Sequence, residues 1–357
     1  MNEKKTIEYR SEILFLYDVT NANPNGDPYE NKPRQDPASE RNIVSDTRLK
    51  RTIRDYLLNR KQKIFVRIEY DDKGSRKTRE ELGDEIWKEA GGDRELATQK
   101  FNETFIDLRL FGATVAAGKV PNKGKQKQIS NDSEKTDVGE TSDTTSQPVH
   151  WIGPVQFKFG QSLHPVEIMN LRGTSVLPSK KGNTMGTFTD FWYVPYSLIA
   201  FYGIVNEEQA INTGLTDDDL DILMDAIWNG TKGLTSRSKF GQVPRLLMQV
   251  SYRPHFHIGA LDSYISLQYP TKEQLTDPVT RGKNIRSIEE IQIDISKLIA
   301  IMKKNAENIV KIRIRFDSST HFVVDGNEWP NLLESLANIQ EFKGKVEKLE
   351  DRNWTAE

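Results

Sequence analysis

From Glu12 to Val19 the chain reads EILFLYDV, a short, nearly continuous apolar run rich in β-formers. It predicts a buried strand. The run stops at TNANPNGDP, Thr20 to Pro28, where Pro, Gly and three asparagines predict a turn-rich loop. A chain of 357 residues has enough length to bury a core around such a strand, as two domains or one large one.

Strand and helix patterns interleave from there. Ser45 suits an N-cap for a helix over 46–59, in which Leu49, Ile53, Tyr56 and Leu57 recur at helical spacing. KIFVRIEY, 63–70, alternates and predicts a second strand, followed by a mostly helical stretch that ends in FIDLRLFGA, 105–113. From Lys119 to Gln147 the composition shifts to Lys, Gln, Ser, Thr, Asp and Gly. Too few apolar groups remain there to offset ordering entropy, so a mobile loop is expected. Strands are expected at 155–163 and 191–205, then a helix at 216–228 with Thr216 and Asp219 in capping-box spacing. A strand at 245–252, a helix at 288–305, a strand at 310–316 and a helix at 331–349 complete the pattern. The fold class expected is α+β, with no internal repeat.

Several functions are excluded or disfavoured. The sequence holds no cysteine, so it has no disulfide, thiolate nucleophile, zinc finger or iron–sulfur cluster, which is compatible with a reducing cytosol. MNEKKTIEYRSEI has no signal-like apolar core, and the longest apolar stretch, 194–205, is broken by Pro195, Ser197 and Gly203. A cytoplasmic protein without a membrane partner is expected. His255 and His257 lie two apart, which in a strand puts both on one face and could suit a metal, but no third ligand is expected nearby, so a structural role is favoured. The aspartates at 217, 218, 219 and 221 fall in a helix's first turn, where capping and the helix dipole account for them. GATVAAGK, 112–119, has five residues between its glycines and Val120 where a phosphate loop needs Ser or Thr. No recognisable catalytic constellation is present, and no cofactor or metal is implied.

The charge is unevenly spread. Lys and Arg number 50 against 52 Asp and Glu, so any polyanion must be held by a local patch. From Arg41 to Arg67 nine basic residues (41, 48, 50, 51, 54, 60, 61, 63 and 67) face two acidic ones, Asp46 and Asp55. From Lys232 to Leu261 five basic residues (232, 237, 239, 245 and 253) face none, in a loop-like context, GTKGLTSRSKFGQVPR. Exposed amides, hydroxyls and Arg suit phosphates, and two such windows point to a localised polyanion groove. On the helix, ordinary pairing of Asp46 with Lys50 and of Asp55 with Arg51 on a solvated face is an equally good reading. Arg172 to Asp190 is a polar segment between strands. It suits a long hairpin whose Met185 and Phe188 either wedge between bases, pack on a neighbouring subunit or fold back on their own core.

DVTNANPNGDP, SDTRLKRTIRD, DLRLFGA, GPVQFKFGQSLHPV, GTFTDFWYVPYSLIAFYGIVN and GLTSRSKFGQVPRLLMQV follow one another in that order. Together, over roughly residues 10–260, they resemble the backbone subunit of the type I CRISPR surveillance complex, Cascade, most closely its type I-B form and next its type I-C form. The resemblance implies an RRM-like (ferredoxin-like) palm, 1–60 and 151–357, with inserted fingers, 61–150, and a thumb, 172–190. It implies a non-catalytic protein that assembles head to tail along the guide (crRNA), grips its phosphates and leaves bases displayed for target DNA. Other implied partners are the large subunit, the small subunit, the 5'-end cap subunit and the crRNA-processing endonuclease.

Carried over to this sequence, the guide contacts implied are Asn21, Asn23, Asn25 and Gly26, then Ser45, Arg48, Lys50 and Arg51. The glycine-rich loop adds Thr235, Ser236, Arg237, Ser238, Lys239, Gln242 and Arg245. Gln161 and Ser162 are weaker candidates, Arg172, Met185 and Phe188 belong to the thumb, and Lys119, Lys123, Lys125 and Lys127 would reach the target strand. The rival from another class is a metal-dependent RNA-cleaving backbone subunit of the type III kind, using Asp27 or Asp36. A stand-alone single-strand RNA-binding protein is a further one.

Overall fold

The computed structural model describes residues 5–115, 148–174, 188–269 and 277–354. The apolar run lies in β1 (Arg10–Ala22), which is buried without a break from Ser11 to Val19. The loop after it leads to β2 (Arg41–Val44) and α1 (Asp46–Asn59). Ser45 caps α1 by accepting the Arg48 N–H. Three helices follow, α2 (Arg79–Glu89), α3 (Arg94–Thr104) and α4 (Ile106–Phe111), with an antiparallel pair β3 (Gly112–Val115) and β4 (Val149–Ile152). Then come β5 (Val155–Phe157), β6 (Gly160–Pro165), β7 (Met169–Thr174), β8 (Phe188–Val205), α5 (Glu207–Thr213), α6 (Asp217–Lys232) and β9 (Gln242–Tyr252). The last part holds β10 (Ser266–Gln268), α7 (Pro278–Asn284), β11 (Gln292–Asp294), α8 (Ser296–Lys304), β12 (Ile309–Phe316), β13 (Phe322–Val324), β14 (Asn327–Glu328), α9 (Leu332–Ala337) and β15 (Val346–Lys348).

The architecture is mixed α+β. The main sheet runs β15-β12-β9-β1-β8-β6-β2, with β5 and β7 also paired to β8. β1 lies between β8 and β9, antiparallel to both, with Phe15 opposite Phe201 and Leu247. Because side chains alternate along a strand, each sheet face acquires its own core. Ile13, Phe15, Tyr17 and Val19 pack with Ile53 of α1 and Leu223 and Ile227 of α6. Leu14 and Leu16 pack on the other face with Leu298, Met302 and Leu336. A third, smaller cluster around Phe65, Trp87, Phe101 and Leu108 lies in the insertion between α1 and β5. Among the described residues no helix is long and apolar enough to cross a membrane.

Four expected elements differ. Residues 63–70 form no strand, because the buried Asp107 carboxylate takes the Phe65 and Val66 N–H groups at 2.8 and 3.1 Å, where a ladder partner would have been. The helix expected over 288–305 is only α8. Before it, Ile291, Ile293 and Ile295 are buried at a spacing of two, and β11 takes that stretch instead. The helix expected over 331–349 ends at Ala337; Gly344, at φ 74°, turns the chain so that Val346 pairs with Ile312 of β12. The strand expected over 155–163 is split into β5 and β6. The capping box of α6 forms as expected, with Thr216 and Asp219 bonded reciprocally.

Candidate nucleic-acid interface

The asparagine loop is built by its own side chains. Asn23 is fully buried. Its N–H donates to Ser238 O at 2.8 Å, its Nδ2 donates to Asn31 O at 2.6 Å, and its carbonyl accepts Lys239 Nζ at 2.8 Å. Asn25 Oδ1 accepts the Ser45 N–H and Oγ–H at 2.8 and 3.0 Å, tying the loop to the start of α1. At Gly26 a Cβ would meet Asn31 Oδ1 at 2.0 Å and the Asn31 carbonyl at 3.0 Å, so any side chain there would have to displace Asn31. Asn21 is exposed, with φ 49°. Three short segments of the sequence, the loop after β1, the first turn of α1 and the loop before β9, thus converge on Asn23 and Asn25.

The charge gathered there is unbalanced. Burial, and then the neighbouring Arg48, push the Lys239 ammonium down to about 8. Burial likewise lowers Arg48. Lys239 donates only to a carbonyl, and among the described residues neither cation is hydrogen-bonded or ion-paired to a carboxylate. Two partly desolvated cations with no carboxylate bonded to either, Asp55 acting on Arg48 only through space, raise their own free energy, and an added anion relieves it. Phosphate matches this seat in charge and in its appetite for N–H donors.

A pH dependence follows. Phosphate favours protonated Lys239, so affinity for a phosphate-bearing strand at fixed ionic strength is expected to be flat below pH ~7. Above pH ~8 it should fall by up to about tenfold per unit, one proton being taken up on binding. The stability of the free protein moves the other way. Its Lys239 binds fewer protons than the unfolded chain between about 8 and the ordinary 10.5, so stability rises with pH through that window. Titrating affinity by fluorescence anisotropy tests this, with Lys239→Arg expected to remove the decline; a decline that persists unchanged in that variant rejects Lys239 as its source.

Other candidates are placed differently. Thr235 and Ser236 are exposed on the same loop, Ser238 holds Asn23, and Arg237 lies over the Phe191 ring at 5.5 Å. Gln242 is buried at the start of β9. Lys50 donates to Asp46 at 3.1 Å and lies over Phe111, while exposed Arg51 pairs with Asp55 at 2.7 Å, so the helix's ordinary ion pairs do form. Arg245 does not face the loop. Its guanidinium is buried against Asp18, Asp317 and Ser319 at 2.7–2.9 Å. Ser162 is fully buried, accepting the Asn42 N–H and donating to His164 O, whereas Gln161 is exposed on β6. Arg172 pairs with Asp190 across β7 and β8 at 3.2 Å. Lys119, Lys123, Lys125, Lys127 and Met185 lie outside the described residues, as do the polar stretch 119–147 and most of 172–190. Phe188 is described in its backbone alone.

Two cations escaped the sequence reading. Lys32 lies over the Trp192 ring at 5.2 Å, and Arg34 is exposed with no carboxylate partner among the described residues. Neither has a periodic pattern; their only signal was proximity to the asparagine loop. The carboxylates of the cleavage alternative are engaged locally. Asp27 accepts the N–H groups of Tyr29, Glu30 and Lys32, which hold it below the usual range, and Asp36 is lowered by Ser39. The expectation that His255 lacks further ligands needs correction, because Glu208 lies 2.8 Å and Glu207 3.9 Å from its Nδ1. Sequence spacing hid this, since α5 approaches from 47 residues away. Glu207, however, already takes Arg10 Nε and the His255 N–H.

Comparison with known proteins agrees with the resemblance. Residues 9–296 match the family described as CRISPR-associated protein Cas7. The chain belongs to that family. A CRISPR-associated protein Cas7 from Haloferax volcanii is 29% identical over 349 residues, covering 93% of this chain and 96% of its own. Two solved chains, from a "CRISPR RNA-guided surveillance complex" and from one described as pre-nicking, are 12% and 13% identical. They cover 91% of this chain and 97% and 98% of theirs, each at a TM-score of 0.43, too loose a likeness to fix a shared fold. In this Cas7-family chain the converging loops and the Arg48–Lys239 pair all lie inside the matched span.

Proposed function

We propose that this chain is the non-catalytic backbone subunit of a type I CRISPR surveillance complex, Cascade, working in the cytoplasm. It holds the phosphates of a guide crRNA at Arg48 and Lys239, framed by Asn21, Asn23, Asn25, Ser45 and Thr235 to Ser238, and leaves the bases to pair with target DNA. Copies assemble head to tail, a heterologous contact whose length the guide and the capping subunits set. The large, small, 5'-end cap and crRNA-processing subunits are its other partners.

The observation that carries this reading is the convergence on the buried Asn23 and Asn25 of the loop after β1, the start of α1 and the loop before β9, which brings Lys239 Nζ to the Asn23 carbonyl. Family membership supports it. The order β9-β1-β8-β6, with α1 after β1 and α6 after β8, supports an RRM-like palm of the βαββαβ kind over 1–60 and 151–357. The separate cluster around Phe101 supports fingers over 61–150, and β7 paired with the start of β8 supports the base of a thumb over 172–190. The local capping roles of Asp27 and Asp36 favour binding over cleavage.

The test is size-exclusion chromatography with light scattering on the full chain, with single-stranded RNAs of increasing length in magnesium. Mass rising stepwise with length, on intact RNA, is expected. One protomer whatever the length marks an ordinary RNA-binding protein, and regular cleavage marks a nuclease, with Asp27 the first residue to replace.

A further inference from the structure

The exposed Phe and Tyr rings among the described residues are Tyr9, Tyr29, Tyr70, Phe159 and Phe240. Among the described residues the two most exposed are Tyr29, at 93%, and Phe240, at 69%. Both lie on the loops that hydrogen-bond Asn23: one through Asn31, the other through Ser238 and Lys239. Phe240 directly follows Lys239, and Tyr29 lies two residues before Asn31, whose carbonyl accepts Asn23 Nδ2. We infer that Tyr29 and Phe240 are base-stacking platforms on either side of the phosphate seat, and that the strand bound there is single-stranded at these two positions. This rests on the phosphate-binding reading proposed above.

Both loops are fixed before any ligand arrives. Asp27 takes the Tyr29 N–H at 2.8 Å, its own N–H donates to Lys32 O at 2.8 Å, and Gly26 bridges Pro33. On the other side the Lys239 and Phe240 N–H groups both donate to Ser236 O at 2.9 Å, and Gly241, at φ 83°, turns the chain into β9. A ring held out on a rigid loop forfeits burial of its apolar area in the free protein, and ordering it on binding costs little.

The surroundings favour a nucleic acid over a protein partner. Pro28, Glu30, Thr235 and Ser236 beside these rings are exposed and form no apolar patch for a protein anchor to join. Lys239 and Arg48 are the cations of the seat, and exposed Lys32 and Arg34 lie on the Tyr29 loop, where Asp27 and Asp36 are taken up by local N–H groups and Glu30 and Glu40 are its other acids. Aromatic faces alternating with cations are what a single strand requires, because every base offers a face to stack and every phosphate a charge to meet. A duplex hides those faces.

The experiment uses the full chain and a single-stranded RNA of about eight nucleotides carrying 2-aminopurine, short enough for one site. Quenching of the probe on binding is expected, with Tyr29→Leu and Phe240→Leu each weakening binding by about fivefold or more and reducing the quench. Tyr29→Trp, which keeps an aromatic face, should retain it. Thermal unfolding of the leucine variants, whose replaced rings touch solvent, checks that they fold. Leucine variants that bind and quench like the parent overturn the inference. So does loss of self-association with binding of the short RNA intact, which makes the rings anchors for a second copy. Lys239→Met separates the two readings. If it leaves the salt dependence unchanged while the leucine variants still lose the quench, the phosphate seat fails and stacking stands; the reverse pattern keeps the seat and rejects stacking.

Discussion

Replacing Arg48 and Lys239 together by methionine is expected to weaken RNA binding by at least about a hundredfold, irrespective of RNA sequence. Each charge-assisted hydrogen bond to phosphate contributes roughly 1.5–3 kcal/mol, and two removed together give that range. The salt dependence should flatten in proportion, the slope of log affinity against log salt losing about 1.4 for two phosphate contacts on a single strand. Methionine keeps an apolar stem and deletes the charge, and here that charge costs the free protein energy. The double variant should therefore fold at least as well as the parent, although Lys239 gives up its bond to the Asn23 carbonyl. Arg51→Ala is the control, since its guanidinium is exposed and already satisfied by Asp55. Anisotropy titrations at several salt concentrations decide between the outcomes. An unchanged slope in the double variant rejects the phosphate seat.

The contrast between Arg51 and Arg48 shows what the sequence alone resolves. The basic window 41–67 was legible as a window, and so were the helix that carries it and the cap at Ser45. Which cations were free was not. Asp46 with Lys50 and Asp55 with Arg51 are readable at a spacing of four, and both pairs form. Arg54 reaches Asp107, 53 residues away, and Arg245 reaches Asp18, 227 residues away; no local pattern announces either partner. Arg41, Lys61, Lys63 and Arg253 also lack an ion pair among the described residues; what sets Arg48 and Lys239 apart is the burial that lowers both. The same limit explains the strand that did not form at 63–70. Its alternation was real, but a buried carboxylate from α4 took its N–H groups. In β11 the alternating isoleucines were overridden by a helical reading of the longer window, and tertiary burial on the second sheet settled the period.

Arg245 carries the largest expected effect on stability. It lies in a basic window next to the candidate site, yet it faces inward, toward Asp18 on β1 and Asp317. Asp18 is 2% exposed, and burial has already raised its carboxyl above the ordinary range, with Arg245 opposing that rise. Arg245→Met leaves Asp18 buried with only the Tyr196 hydroxyl at 3.1 Å, and removing one partner of a buried pair costs about 3–5 kcal/mol. The pH dependence identifies the cause. With its pKa raised further, Asp18 holds a proton in the folded state that the unfolded chain releases. The variant's stability should then fall as pH rises through the window between the two values, and its deficit against the parent should be smallest in acid. Urea unfolding at pH 5 and pH 7.5 measures this, and Asp18→Asn in the same chain should recover much of the loss. A deficit independent of pH rejects Asp18 as its source. At low temperature, where the variant is folded, it should bind RNA with the parent's salt slope, because a guanidinium held by Asp18 and Asp317 has no charge to offer a phosphate. A slope that flattens as it does on losing Lys239 would mean that Arg245 leaves its carboxylates when RNA binds.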